Sequence, residues 1–217
     1  MVFMVKVIVL IFGCFSIATL NAQQEQGAIV QGNELYKKGE FEKATQQYQK
    51  ATELNQENTN AFYNLGNALY KTGKKEEAEK AFSGAAEKTK TPLQKSKALY
   101  NKGVTLTRQK KLEESINAYK QTLRLNPNDQ QARENLQMAL NELKKQQEQQ
   151  KPKEDPKKPD DKKQPQNEDK PKPEQNNSKL NKQQVEQMLN SLRQEEKRLQ
   201  QNVQKKNNQG SNNAKDW

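Results

Sequence analysis

Apolar and small residues recur along the middle of the chain at spacings of three, four and seven, the mark of helices with one buried face. Gly32 and Gly66 lie 34 residues apart, and so do Ala44 and Ala78, Tyr48 and Phe82, and Ala51 and Ala85. The series continues at Gly103, Ser115, Tyr119 and Thr122, each displaced by 37, so a third copy carries three extra residues near Leu93 to Lys95. Each unit reads as two helices, with a break near Gly39, Gly73 or Lys110 and a second stripe ending near Pro127 or its equivalents. The pattern predicts an all-α stack of helical hairpins. Glycine at the eighth position of a unit lets the second helix approach the first, alanines at positions 20 and 27 do so from the other side, and the aromatic at position 24 fills the gap.

Stacked hairpins need a polar-backed helix to close their open end. Residues 130–150 supply it, because Ala132, Leu136, Ala139, Leu140 and Leu143 fall on one side while Gln, Glu and Lys take the other. Beyond it, residues 151–177 hold six of the eight prolines, eight lysines and seven acidic residues, with no apolar side chain besides proline. That is the composition of a disordered spacer, with a reach of at most roughly 80 Å in polyproline form. Order is expected to return over residues 178–206, where Val185, Met188, Leu189, Leu192, Leu199 and Val203 form one narrow apolar stripe. Such a helix is not stable alone in water. Its stripe is expected to dock on a partner protein or a second copy of the chain; folding back on the repeats and transient helix formation stay open. A polar tail, residues 207–217, holds Trp217, which no local core explains.

The amino terminus follows another pattern. Lys6 precedes an apolar or small-residue run that continues to Leu20, and polarity rises at Gln23. Residues 1–22 read as a signal peptide cleaved after Ala22, so the protein is expected to be exported and periplasmic. Lipidation at Cys14 and retention as an anchor are the rival outcomes, and either would tie the protein to the inner membrane; a full span needs about 20 apolar residues.

Composition narrows the chemistry. The chain has 217 residues, 30% of them hydrophobic, a formal charge of +11, no histidine and one cysteine, Cys14. Zinc sites, Ser-His triads and Cys-His dyads are excluded, and neither a metal nor another cofactor is expected. Carboxylates and lysines interleave along helical faces as solvated surface, so no enzyme activity is expected. The charge suggests a second reading, a binder of anionic polymer or membrane surface. Its even spread, +5 over residues 23–150 and +5 over 151–217, argues against a nucleic-acid site.

The repeats resemble the tetratricopeptide repeat, whose pattern appears as Phe62, Leu65, Gly66, Leu69, Ala78, Phe82 and Ala85 in the second unit. The units are placed at residues 25–58, 59–92 and 96–129. The first has Ala28 where an aromatic is usual, and the third has Lys102 for leucine and Ser115 and Thr122 for alanine, which suggests a looser repeat. The resemblance implies a concave groove lined by the first helices. Reading positions 2, 5, 6, 9 and 12 gives Ile29, Asn33, Tyr36, Tyr63, Asn64, Asn67, Tyr70, Lys97, Tyr100 and Asn101, with Arg108 at the rim. Amides and tyrosines suit an extended peptide, since amides pair with backbone donors and acceptors and tyrosine adds apolar area with a polar tip. Relatives that clamp a terminal carboxylate use two asparagines and three basic residues; Asn33, Asn64 and Lys97 match, while Ile29 and Asn101 stand where two bases would.

Signal segment, three repeats, Lys/Pro/Gln-rich spacer and an ending that runs from Val185 through Lys197 to Lys215, Asp216 and Trp217 together resemble the BatC-type proteins of the Bacteroides-type aerotolerance operon. The resemblance implies a non-enzymatic scaffold of a cell-envelope assembly, with membrane-anchored von Willebrand factor type A proteins as partners.

Overall fold

The computed structural model describes residues 22–149 and 180–213. The expected signal segment up to residue 21, the spacer 151–177 and residues 214–217 of the tail lie outside the described residues. The described residues form helices only: α1 (22–37), α2 (Phe41–Leu54), α3 (Thr59–Lys71), α4 (Lys75–Lys88), α5 (Pro92–Arg108), α6 (Leu112–Leu125), α7 (Gln130–Gln149) and α8 (Lys182–Asn213). No described helix is long and apolar enough to cross a membrane. Two units divide within α7, residues 22–139 and residues 140–213.

In the first unit each hairpin turns by the same device. Gly39 and Gly73 take φ of 80°, and Lys110 takes φ of 63° at the third equivalent. The next residue's N–H reaches back six positions inclusive, from Glu40 to Leu35 O, Lys74 to Leu69 O and Lys111 to Leu106 O, each at 3.0 Å. This Schellman closure satisfies carbonyls that a helix end would leave orphaned. Side-chain caps set two of the starts: Asn58 Oδ1 accepts from Ala61 N and Asp129 Oδ1 from Ala132 N, while α5 begins instead with Pro92.

The glycine at position 8 works by contact. A Cβ built on Gly32 would lie 2.7 Å from Tyr48 Cε1, on Gly66 2.7 Å from Phe82, and on Gly103 2.6 Å from Tyr119 Cε1. All three aromatic rings are therefore seated on bare backbone. Around them Ala44, Ala51, Ala78 and Ala85 are fully buried, and one cluster runs from Ala44 and Tyr48 through Leu65 and Leu69 to Phe82, joining the first two repeats. The third repeat is as closed as the others: Ser115 and Thr122 are also fully buried. Their hydroxyls donate to carbonyls of their own helix, Leu112 O at 2.8 Å and Ala118 O at 3.0 Å, so the polar atoms cost little in the core. The three-residue insertion is not a loop. It becomes an added first turn of α5, which has 17 residues against 13 in α3.

The second unit differs from the expectation for the carboxy-terminal stripe. Val185, Leu189 and Leu192 are buried and Met188 is half-buried, whereas the Leu199 and Val203 side chains lie outside the described residues. Two ion pairs join α8 to the end of α7, Lys144 Nζ to Glu186 at 2.6 Å and Lys182 Nζ to Glu148 at 3.4 Å, and Gln147 Nε2 donates to Leu180 O, just before α8, at 2.6 Å. Partner numbers fall on one helix as they rise on the other, so the two run antiparallel. The first half of the stripe is thus covered within the chain, because α7 presents Leu140 and Leu143, themselves buried, to the same unit. Helix α8 also continues to Asn213, beyond the end placed at residue 206.

Candidate functional site

Within the first unit, asparagines at positions 6 and 9 and tyrosines at position 5 mesh from one first helix to the next. Asn101 Nδ2 on α5 donates to Tyr63 Oη at 3.0 Å and to Asn67 Oδ1 at 3.2 Å, both on α3. Asn64 Nδ2 on α3 donates to Asn33 Oδ1 on α1 at 3.2 Å, and that oxygen also accepts from the Tyr48 hydroxyl at 2.8 Å. Asn135 on α7 donates to Tyr100 Oη at 2.9 Å. The same rule thus runs through three junctions, and the middle one is complete. The first lacks its tyrosine because position 5 is Ile29; the last lacks its asparagine because position 9 is Val104.

Three of the four groove tyrosines lean on an aromatic behind them. Tyr36 meets Phe41 edge-on with centroids 5.0 Å apart, Tyr63 meets Phe82 at 5.9 Å, and Tyr100 lies tilted on Tyr119 at 6.1 Å. The rings are half-buried, and the Tyr63 and Tyr100 hydroxyls each accept from an asparagine amide, so they are held before any ligand arrives. Burial pushes the Tyr36 and Tyr100 phenols up, and pushes Tyr48 and Tyr119 up to about 12. These four groups are neutral hydrogen-bonding hydroxyls at neutral pH.

Ile29 is a correction to the predicted surface. It is buried with Ala28, Ala51 and Ala61, because the first repeat has no aromatic at position 4 and needs apolar filling there. Asn33, Tyr36, Tyr63, Asn64, Asn67, Tyr70, Tyr100 and Asn101 are half-buried, and Lys97 and Arg108 are exposed. Tyr70 packs on the core joining the first two repeats, and Arg108 lends only its carbonyl, to Lys75 Nζ at 3.4 Å. Sequence reasoning missed Asn135, although it stands 34 residues after Asn101 and is the position-6 residue of a fourth first helix. It also missed a pocket of about 170 Å³ lined by Thr59, Asn60, Tyr63, Gln94, Lys97 and Ala98. Its walls come partly from the added turn of α5, which no repeat template contains.

Residues 32–73 match the family model described as TPR repeat, and residues 96–129 match the model described as tetratricopeptide repeat. These are tetratricopeptide repeats. The solenoid they build is similar to the second TPR domain of human RPAP3, solved in complex with the HSP70 peptide SGPTIEEVD. That match has 28% identity and a TM-score of 0.51, covering 55% of this chain and 97% of that one. It is also similar to the first TPR domain of Spaghetti (RPAP3), bound to the HSP90 peptide SRMEEVD, at 25% identity and a TM-score of 0.52, over 56% of this chain and 94% of that one. The Arabidopsis OM64 TPR domain shares the fold at 22% identity and a TM-score of 0.51, over 55% and 96%. No curated protein matches the chain by sequence.

Proposed function

We propose that the protein is a non-enzymatic scaffold that binds an extended peptide or protein segment along the first helices of its repeats. One observation carries this reading: the amide ladder places unspent hydrogen-bonding groups in a row. Asn33 Nδ2, Asn64 Oδ1 and Asn67 Nδ2 are used by no partner in the ladder, and their residues are half-buried on the first helices, as Tyr63 and Tyr100 are. Rigid tyrosines with amides between them fit a backbone that carries donors and acceptors in alternation. The two RPAP3 domains hold peptides, which supports a segment as the ligand. A terminal-carboxylate clamp is disfavoured, since Ile29 is buried and both Nδ2 hydrogens of Asn101 are already spent on Tyr63 and Asn67.

The wider setting we propose is the cell envelope, after export, in an aerotolerance-type assembly with von Willebrand A-domain membrane proteins. It rests on the resemblance of the whole chain arrangement to BatC-type proteins. The test is capture of partners from envelope extract, followed by binding of the purified partner to Asn67→Ala/Lys97→Ala. The double variant should bind about 1–3 kcal/mol more weakly, the range for lost hydrogen bonds including one to a charge. Unchanged affinity would place the site elsewhere. Affinity falling steeply with salt would favour the anionic-surface reading instead.

A further inference from the structure

The pocket between the starts of α3 and α5 takes part of its wall, Gln94, from the added turn Pro92–Lys95, which has no equivalent in the other units. We infer that it is a subsite for one aromatic side chain of the bound segment, tyrosine ahead of phenylalanine; this rests on the segment-binding reading above. Its volume of about 170 Å³ is that of a ring-sized cavity, since an apolar cavity of about 150 Å³ takes benzene. An aspartate side chain offers too little apolar area for this space, and leucine lacks the flat face that the Tyr63 ring and the Lys97 ammonium could engage.

Its lining has the matching chemistry. The Tyr63 ring and the buried Ala98 methyl give apolar wall, and Tyr63 is fixed by Phe82 behind it and by Asn101 at its hydroxyl. Lys97 stands exposed at the mouth and makes no ion pair among the described residues, so its ammonium is available to the face of a ring. Gln94 Oε1 accepts from the Thr89 hydroxyl at 2.8 Å, which orients the amide and leaves its Nε2 as a donor for a phenol oxygen. Asn60 and Thr59 complete a polar rim. A carboxylate would find one cation here and no second charged donor, while a phenol uses the apolar wall, the cation and the amide together.

The test uses the full chain, isotope-labelled, titrated with blocked pentapeptides that carry tyrosine, leucine or aspartate between serine and glycine residues. The tyrosine peptide should shift the backbone resonances of Thr59, Gln94, Lys97 and Ala98 saturably, and bind at least about fivefold more tightly than the leucine peptide, the range expected for ring contacts that leucine cannot make. Lys97→Met, which keeps the stem, should weaken the tyrosine peptide by about threefold. Asn60→Trp, at an exposed position, should block the pocket and abolish those shifts while the circular dichroism spectrum stays that of the parent. Equal binding of leucine, tighter binding of aspartate, or no shift at the pocket would each overturn the subsite. Shifts confined to Asn33, Asn64 and Asn67 would do so too, yet would leave the segment-binding face intact.

Discussion

Single residues set both the close packing and the chemistry of this stack. Tyr48 and Tyr119 ionise late because burial opposes the phenolate. A phenol whose folded pKa lies above its ordinary value of 10.0 stabilises fully below that value, and the contribution is lost as pH rises towards about 12. Stability should therefore fall between about pH 10 and 12, and Tyr48→Phe with Tyr119→Phe should flatten that fall; urea unfolding across the range reads it out. Two glycines separate contact from conformation. Gly66→Ala drives a methyl into Phe82 and should cost about 1–3 kcal/mol, whereas Gly73→Ala meets no atom within 4 Å and should cost about 1 kcal/mol through its positive φ alone. The spacing of small and aromatic residues made the glycine contacts legible in the sequence. Ile29 was not, since periodicity puts it on the groove face and only the missing bulk at Ala28 draws it inward.

Between elements, charge pairs act where the repeats meet. Glu79 on α4 takes hydrogen bonds from Lys111 at 2.9 Å and Gln109 at 3.1 Å, both in the turn between α5 and α6. Burial works against its charge, but the bonds from Lys111 and Gln109 outweigh it and hold the carboxyl below its ordinary 4.5. That contribution is present above pH 4.5 and is lost as pH falls through the lower, folded value. Glu79→Gln should thus be less stable than the parent at neutral pH, with the gap closing on acidification. At the other end, α8 lies antiparallel to the end of α7. Lys144→Cys with Glu186→Cys, treated with a short bismaleimide, should join within one chain at high dilution; a product made only as a dimer would show that α8 pairs between copies. The stripe was legible from spacing, but its cover was not, because an apolar seam records that it must be buried and says nothing of by what. The inserted turn of α5 was read only as a gap in the register.

At the scale of the whole molecule, the ladder runs along the first helices α1, α3 and α5 to Asn135 on α7, the pocket lies between α3 and α5, and the second helices α2, α4 and α6 carry exposed charge such as Lys50, Lys80 and Lys120. The fold was legible because three copies of one pattern confirm one another. The site was legible residue by residue but not as a network, since a repeat template aligns positions within units and the hydrogen bonds run between position 6 of one unit and positions 5 and 9 of the unit before. The direct measurement is photo-crosslinking in cells, with a photoreactive amino acid placed at Asn60 or Lys97 on the first helices and at Lys80 or Lys120 on the second. Crosslinks to a protein partner from Asn60 and Lys97, with none from Lys80 and Lys120, are the predicted result; the same partner caught only from the second helices would contradict the account.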